Sequence, residues 1–156
     1  MSKGFTTAPK PSIKAFTLIE LIVVIIIVGI LAAVGMTQYS SIVEKSRLAE
    51  ARVRIGTMRQ LAHEYYMNNG TVMGIAYSDV GVDYTCRSDS FYRYNANGYP
   101  SGYVNLRAYR CTSQGKTPNV DRGYNYFMTY NPVTGQSKWC CYYNDDASSC
   151  FGLPTS

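Results

Sequence analysis

The chain has 156 residues, room for one modest globular domain and one long additional element. Its formal net charge is +5, but Lys3, Lys10 and Lys14 all precede residue 16, which leaves 12 basic against 10 acidic side chains in the remainder. That balance argues against a dedicated nucleic-acid-binding protein, whose affinity rests on many phosphate contacts, although it allows a local basic patch.

The first 15 residues are polar and have no hydrophobic region of their own, since they include three lysines, Pro9 and Pro11. The segment 21–43 carries no charge, and residues 21–34 are almost purely aliphatic. About 20 apolar residues are enough to cross a bilayer as a helix, which satisfies its backbone hydrogen bonds internally. This order of segments is not that of a secretory signal peptide.

Glu20 places a carboxylate at the start of the apolar segment. Near the centre of a bilayer such a charge costs about 2.5–3.5 kcal/mol, so it indicates a function and calls for a cationic partner. The alternative is a carboxylate that snorkels to the membrane edge and has no role.

Residues 14–21 read KAFTLIEL and residues 29–33 read GILAA. Together with the apolar run, they resemble the class III signal of type IV pilins and pseudopilins. The resemblance implies recognition of Lys14 and Ala15 by a prepilin peptidase, cleavage between Ala15 and Phe16, and N-methylation of Phe16. It also implies that Glu20 is the assembly carboxylate, paired with the Phe16 ammonium of a neighbouring subunit.

Two positions depart from the family pattern. The family usually has glycine before the cut, where this chain has Ala15, and many pilins have a helix-breaking proline near the position of Gly35. Alanine is the next smallest side chain, so cleavage is still expected. Glycine weakens a helix by about 1 kcal/mol relative to alanine, so Gly29 and Gly35 allow the helix to loosen without a proline kink.

The implied protein is a homo-oligomeric filament subunit, held in the inner membrane until a pilus assembly platform adds it to an extracellular fibre. Adhesion, twitching motility and DNA uptake are the functions expected of such a fibre. A pseudopilin of a type II secretion system, a minor pilin that binds DNA or a surface, and an uncut membrane-anchored monomer remain as alternatives. No enzyme motif or cofactor-binding fingerprint is present, so neither catalysis nor a cofactor is expected.

After the apolar run, hydrophobic residues recur at steps of three and four, which predicts a helical stripe on one face. They are Leu48, Ala51, Ile55, Met58, Ala62 and Tyr65. Glu50 and Arg54 are spaced as an i,i+4 ion pair on another face. Because residues 68–70 read NNG, one helix is predicted from about residue 17 to residue 68.

The second half of the chain predicts strands over residues 103–109, 124–130 and 136–143, with a turn at 131–135. The segment 71–102 is rich in loop-forming residues, so its strand content is uncertain. The predicted fold is therefore α+β, a long N-terminal helix packed on a small antiparallel sheet of three or four strands, as in pilins. The predicted segments are a leader (1–15), an assembly half of the helix (16–43), an amphipathic half (44–69) and a disulfide-bonded β domain (70–156).

All five cysteines lie far from the N-terminus, a pattern that predicts disulfides in an oxidising compartment. We expect Cys86 to pair with Cys111, and Cys150 to pair with Cys140 or Cys141, closing a loop that resembles the C-terminal disulfide region of many pilins. Adjacent strand residues point to opposite faces, so only one of Cys140 and Cys141 suits that bond. No C-x-x-C pair occurs and the one histidine, His63, lies upstream, so no metal site is expected.

The chain contains 15 tyrosines, most of them in its second half. They are interpreted first as sheet formers with a polar tip, and alternatively as an adhesive surface or as platforms that stack on single-stranded DNA. The arginines near them in sequence are Arg87, Arg93, Arg107 and Arg110. In pseudopilins an acidic loop in the position of residues 144–146 binds calcium; here a solvated turn is the preferred interpretation.

Overall fold

The computed structural model describes residues 16–119 and 123–143. Helix α1 (Leu18–Asn69) is followed by four strands, β1 (Tyr92–Gly98), β2 (Val104–Arg110), β3 (Tyr124–Tyr130) and β4 (Ser137–Tyr143). The α+β fold class predicted from the sequence is confirmed. The chain divides into two units after residue 40, and α1 contributes to both.

The described part of the first unit is helical from Leu18 onward, and its surface over residues 21–34 is apolar on all sides. Every large aliphatic side chain from Leu18 to Val34 is exposed, because none of the described residues covers them. The helix is apolar and long enough to cross a membrane. Such a surface is stable only in lipid or against other apolar helices.

In the second unit, the part of α1 after residue 40 buries the predicted stripe. Leu48, Ala51, Ile55, Met58 and Ala62 are each 3% exposed or less, and Tyr65 is half-buried against the same core. The helix ends where the sequence predicts. Gly70 adopts a left-handed conformation with φ of 69°, and its N–H donates to the carbonyl of Tyr66 (2.8 Å), which closes the last turn.

The sheet is an antiparallel meander in which every strand pairs with the next one in the chain. Alternate residues of each strand face the stripe of α1, as the period of two requires. Val104, Leu106 and Ala108 of β2 are fully buried there, while Tyr92 of β1 and Tyr126 of β3 are the largest side chains in this layer. The three predicted strands are confirmed to within a residue.

Strand β1 is the element that the sequence left uncertain. Its sequence, YRYNANG, contains two asparagines and a glycine, which are poor strand formers. Pairing with β2 along its whole length nevertheless holds it in the sheet, from Tyr92 opposite Arg110 to Gly98 opposite Val104. At Gly98 the backbone approaches the loop after α1 so closely that a Cβ would lie 1.7 Å from the carbonyl oxygen of Val72, so only glycine fits.

Covalent and polar contacts hold the long connection between α1 and β1. Cys86 and Cys111 form the expected disulfide, with 5.8 Å between their Cα atoms. The N–H of Tyr94 donates to the carbonyl of Asp83 (3.1 Å), so the connection also covers part of the free edge of β1. Arg54 donates from Nη2 to the carbonyl of Gly81 (3.1 Å) and makes no ion pair with Glu50, contrary to the spacing-based prediction.

Candidate functional site

Glu20 lies in the first turn of α1, where it closes a reciprocal cap with Thr17. The Thr17 N–H and hydroxyl donate to Glu20 Oε2 at 2.8 and 2.7 Å, and the Glu20 N–H donates back to Thr17 Oγ1 at 3.4 Å. This is a capping box, which satisfies backbone donors that the first turn of a helix otherwise leaves without partners. The carboxylate therefore has a defined position at the helix end, even in a single chain.

Phe16 precedes this cap, and 88% of it is exposed. The peptide bond between residues 15 and 16, where cleavage is predicted, is therefore followed by an accessible residue. Lys14 and Ala15, the other residues of the predicted cleavage site, lie outside the described residues. The structure thus places Phe16, Thr17 and Glu20 together at the start of the apolar helix. The sequence contains the signal for this cap, a threonine followed three residues later by glutamate, although Glu20 is predicted above only as a membrane and assembly carboxylate.

A second carboxylate, Glu44, is buried in the second unit with its charge compensated. It is 5% exposed, and both of its oxygens accept hydrogen bonds from Arg110, from Nε to Oε2 (3.0 Å) and from Nη2 to Oε1 (3.2 Å). Arg47, one turn further along α1, also donates to Oε1. The pair connects α1 to the C-terminal end of β2, so it fixes one end of the helix stripe against the sheet.

Two tyrosines extend the Glu44 cluster into β1 and β3. The Tyr124 hydroxyl donates to Glu44 Oε2 (3.0 Å), and the Tyr92 hydroxyl lies 2.7 Å from that of Tyr124. Because Tyr124 uses its proton on Glu44, Tyr92 is the donor in the second bond. Burial raises the pKa of both phenols, so each remains protonated and able to donate at physiological pH.

Arg110 is only 4% exposed, and all three of its nitrogens are hydrogen-bonded. Besides Glu44, it donates to the backbone carbonyls of Phe91 (3.0 Å), Cys111 (3.2 Å) and Thr117 (2.6 Å). It therefore organises the loop after β2 as well as the pairing with α1. Burial alone would raise the pKa of Glu44, but the hydrogen bonds and charge of Arg110, helped by Tyr124 and Arg47, outweigh it and hold that pKa below its ordinary value.

Four of the five cysteines belong to the described residues. Beyond the Cys86–Cys111 bond, Cys141 is disulfide-bonded, whereas Cys140 is a buried free thiol. Cys150 and the acidic segment 144–146 lie outside the described residues. The prediction that only one of the two adjacent cysteines suits a disulfide agrees with the different states of Cys140 and Cys141.

The four arginines grouped by the sequence have different environments. Arg110 forms an ion pair with Glu44, and Arg87 forms ion pairs with Asp83 and Asp89, each at 3.3 Å. Arg93 and Arg107 instead lie on aromatic rings, without a carboxylate within 4 Å among the described residues. Of the four arginines that the sequence groups together, only Arg93 and Arg107 are therefore without a carboxylate partner among the described residues. Closeness in sequence does not predict this difference, because an ion pair such as Glu44–Arg110 joins residues far apart in the chain.

The family described as the prokaryotic N-terminal methylation motif matches residues 10–36, a range that contains Lys14, Ala15, Phe16 and Glu20. The chain is 44% identical over 57 residues to the fimbrial protein EcpC of Eikenella corrodens and to the type IV major pilin protein PilE1 of Neisseria gonorrhoeae. It is 41% identical over 56 residues to a probable minor fimbrial protein of Dichelobacter nodosus.

These matches cover 36% of this chain and 37%, 34% and 35% of the three relatives, so the likeness spans about a third of each protein. No solved structure matches the chain. The matched range overlaps the first part of the exposed apolar helix that Thr17 and Glu20 cap, and the three relatives that share this region are fimbrial or type IV pilin proteins. Within this region, the chain is similar to type IV pilins and other fimbrial proteins.

Proposed function

We propose that this chain is a structural subunit of an extracellular type IV pilus, added to the fibre through its N-terminal helix and without catalytic activity. The observation that carries the proposal is the methylation motif at residues 10–36, which overlaps the first part of α1, where the aliphatic side chains are exposed on all sides. A monomer with this apolar surface needs a membrane to cover it, and in a fibre the neighbouring subunits would bury it.

The proposed processing removes residues 1–15 and leaves Phe16 as the N-methylated first residue. A prepilin peptidase of the inner membrane would make the cut after Lys14 and Ala15, and an assembly platform would then extract the subunit. Phe16 is exposed and lies directly before the cap of α1, which supports access of an enzyme to this bond. The chain would span the inner membrane once before assembly and lie outside the cell afterwards.

Glu20 has two proposed roles that follow from its position in the first turn. Within one subunit it caps α1 through Thr17. In the fibre its charge would attract the Phe16 ammonium of a neighbouring subunit, because opposite charges in an apolar medium interact strongly although desolvation offsets much of the gain. The pair would set the register of the helices, while burial of the aliphatic residues of 21–34 would supply most of the cohesion.

Mass spectrometry of the N-terminal peptide, from fibres sheared off the cell surface and separately from membranes, tests this proposal. We expect a peptide that begins at N-methylated Phe16 to be abundant in the sheared fraction. The same peptide confined to membranes would instead indicate a minor pilin or a pseudopilin of a type II secretion system. An intact 1–15 segment on most molecules would overturn the proposal and leave a membrane-anchored monomer.

A further inference from the structure

One face of the sheet carries charges of a single sign. The strand residues on the side opposite α1 are defined here as the outer face; they are residues 93, 95 and 97 of β1, 105, 107 and 109 of β2, 125, 127 and 129 of β3, and 138, 140 and 142 of β4. The charged residues among these twelve are Arg93, Arg107 and Lys138, and none of the twelve is acidic. The outer face therefore attracts anions.

Arg93 is placed between aromatic rings at the β1 edge of this face. Its guanidinium lies 4.7 Å from the ring centroid of Tyr84 and 5.2 Å from that of Tyr109. Tyr84 in turn stacks on Tyr77, with 6.2 Å between centroids and 28° between planes. Three tyrosines and one arginine thus form a continuous aromatic and cationic surface.

Arg107 continues this surface along β2. Its Nη1 donates to the hydroxyl of Tyr109 (3.4 Å) and its Nη2 to that of Tyr99 (3.5 Å), while its Nε is buried without a hydrogen-bond partner. Tyr99 stacks on Tyr103 at 4.6 Å and 20°. The tyrosine–arginine row is defined, in order of contact, as Tyr77, Tyr84, Arg93, Tyr109, Arg107, Tyr99 and Tyr103.

The two arginines of the row keep their charge available. Arg87 and Arg110, the nearest other arginines in sequence, are neutralised by carboxylates within hydrogen-bonding distance. Arg93 and Arg107 contact rings and hydroxyls, which do not cancel a positive charge, and no Asp or Glu of the described chain lies within 4 Å of either. An anionic partner would therefore meet two uncompensated guanidinium groups.

We infer that the tyrosine–arginine row binds single-stranded nucleic acid. A single strand offers flat bases, which stack on tyrosine rings, and phosphates, which bind arginine. Tyr77 and Tyr84 are 44% and 39% exposed, so rings are accessible at one end of the row. An acidic polysaccharide has the charge without the aromatic faces, and a duplex keeps its base faces stacked inside. This surface is formed by the second unit alone, so the inference does not depend on filament assembly.

The test measures binding of a fluorescent 20-nucleotide oligothymidylate to the full chain in detergent micelles, by anisotropy at several salt concentrations. Each phosphate contact to a single strand contributes about 0.7 to the slope of log affinity against log salt. The double variant Arg93→Gln, Arg107→Gln should lower that slope by about 1.4. Tyr77→Leu removes an exposed ring, so it should weaken binding about tenfold with the slope unchanged.

The matched control is the double variant Arg52→Gln, Arg59→Gln. It also removes two positive charges that lie over aromatic rings, since Arg52 lies over Trp139 (5.6 Å) and Arg59 over Tyr130 (5.7 Å), but both arginines belong to α1. We expect it to retain both the affinity and the salt slope of the unmodified chain.

Equal loss in the control and in the Arg93, Arg107 variant would overturn the inference, because it would show attraction to overall charge only. Unchanged affinity in Tyr77→Leu would also overturn it, and this exposed position keeps the test valid if the arginine variant fails to fold. Two further results would contradict stacking on bases. One is a 20-base-pair duplex that binds as tightly as the single strand, and the other is displacement of the oligonucleotide by polygalacturonate at equal charge concentration. Either would show that the row binds anions in general.

Discussion

Glu44 of α1 and Arg110 of β2 are 66 residues apart in the chain and form a two-point ion pair in the interior of the second unit. A buried pair of this kind is not a large net source of stability, since desolvation of both charges offsets their attraction. Its importance is that the loss of either partner would leave the other as a buried charge without a countercharge. The pair therefore fixes which turn of the helix lies against the end of β2.

Glu44→Gln should destabilise the second unit by about 3–5 kcal/mol, because it leaves the Arg110 guanidinium buried without a countercharge. Denaturant unfolding of the full chain in detergent micelles, followed by near-ultraviolet circular dichroism of the tyrosines, measures this change. Glu50→Gln is the matched control, since Glu50 is exposed and makes no ion pair among the described residues; its effect should stay within about 0.5 kcal/mol. Similar effects of both substitutions would contradict the assigned role of Glu44.

Acidification should destabilise the second unit through the same carboxylate. The folded-state pKa of Glu44 is below its ordinary value, so its contribution is fully present above the unfolded-state pKa of about 4.3 and is lost as the pH falls through the folded-state value. Free energies of unfolding measured from pH 7 down to pH 3 should therefore fall below about pH 4. The Glu44→Gln variant should show a smaller decline, and an identical decline would show that other carboxylates cause it.

The two buried tyrosines of the cluster should differ in their contributions. Tyr124→Phe removes a hydrogen bond to a charged acceptor and also deprives the Tyr92 hydroxyl of its partner, so a loss of about 2–3 kcal/mol is expected. Tyr92→Phe removes a bond between neutral hydroxyls, so about 1 kcal/mol is expected. Unfolding measurements on both single variants test this order, and a larger effect at Tyr92 would reverse the assigned direction of the hydrogen bonds.

Glu20→Gln and Thr17→Ala separate the capping role of Glu20 from its proposed role in assembly. Glutamine also occurs at this position of a capping box, so Glu20→Gln removes the charge while it retains a side chain able to cap. Thr17→Ala removes the cap, at about 1 kcal/mol, but keeps the carboxylate. If the charge recruits subunits, Glu20→Gln should reduce the yield of sheared fibres at least tenfold and Thr17→Ala only slightly. A reduced yield from Thr17→Ala together with an unchanged yield from Glu20→Gln would show that the cap alone matters.

Removal of the Cys86–Cys111 disulfide should destabilise the second unit by about 3–4 kcal/mol, as expected for a loop closed over a sequence separation of 25 residues. A double serine variant is preferable to a reductant, because Cys141 is also disulfide-bonded and would be reduced at the same time. Cys140→Ala, at the buried free thiol, is the control and should cost about 1 kcal/mol. Unfolding curves of the two variants should differ accordingly.

The elements that the sequence predicted well are those with a simple repeat. The Leu48–Ala62 stripe has the helical period, and β2 alternates from Val104 to Ala108, so local patterns were sufficient. β1 was uncertain because its asparagines and glycine oppose a strand, and its pairing with β2 is a tertiary effect.

The functional sites were likewise predictable from the sequence only where their residues are close together in the chain. The motif around Phe16 and Glu20 is contiguous, so it was visible in the sequence. The Glu44 cluster brings together Tyr92, Arg110 and Tyr124 from three strands, and no spacing rule connects them. The tyrosine–arginine row was partly visible as composition, but the register of β1 and β2, which places Arg93 and Arg107 on the face opposite to that of Arg110, is a tertiary feature.

If the chain is the pilus subunit proposed above, the position of one disulfide has a consequence for when it becomes competent to assemble. The ring closed by Cys86 and Cys111 contains the whole of β1, the strand with the weakest local preference, and β2 up to its last residue. Thiols oxidise only after export, so we expect the sheet to be completed on the far side of the membrane. Newly inserted subunits with reduced cysteines and an incomplete sheet would then be unable to join a fibre, and oxidation of Cys86 and Cys111 would make them competent to do so.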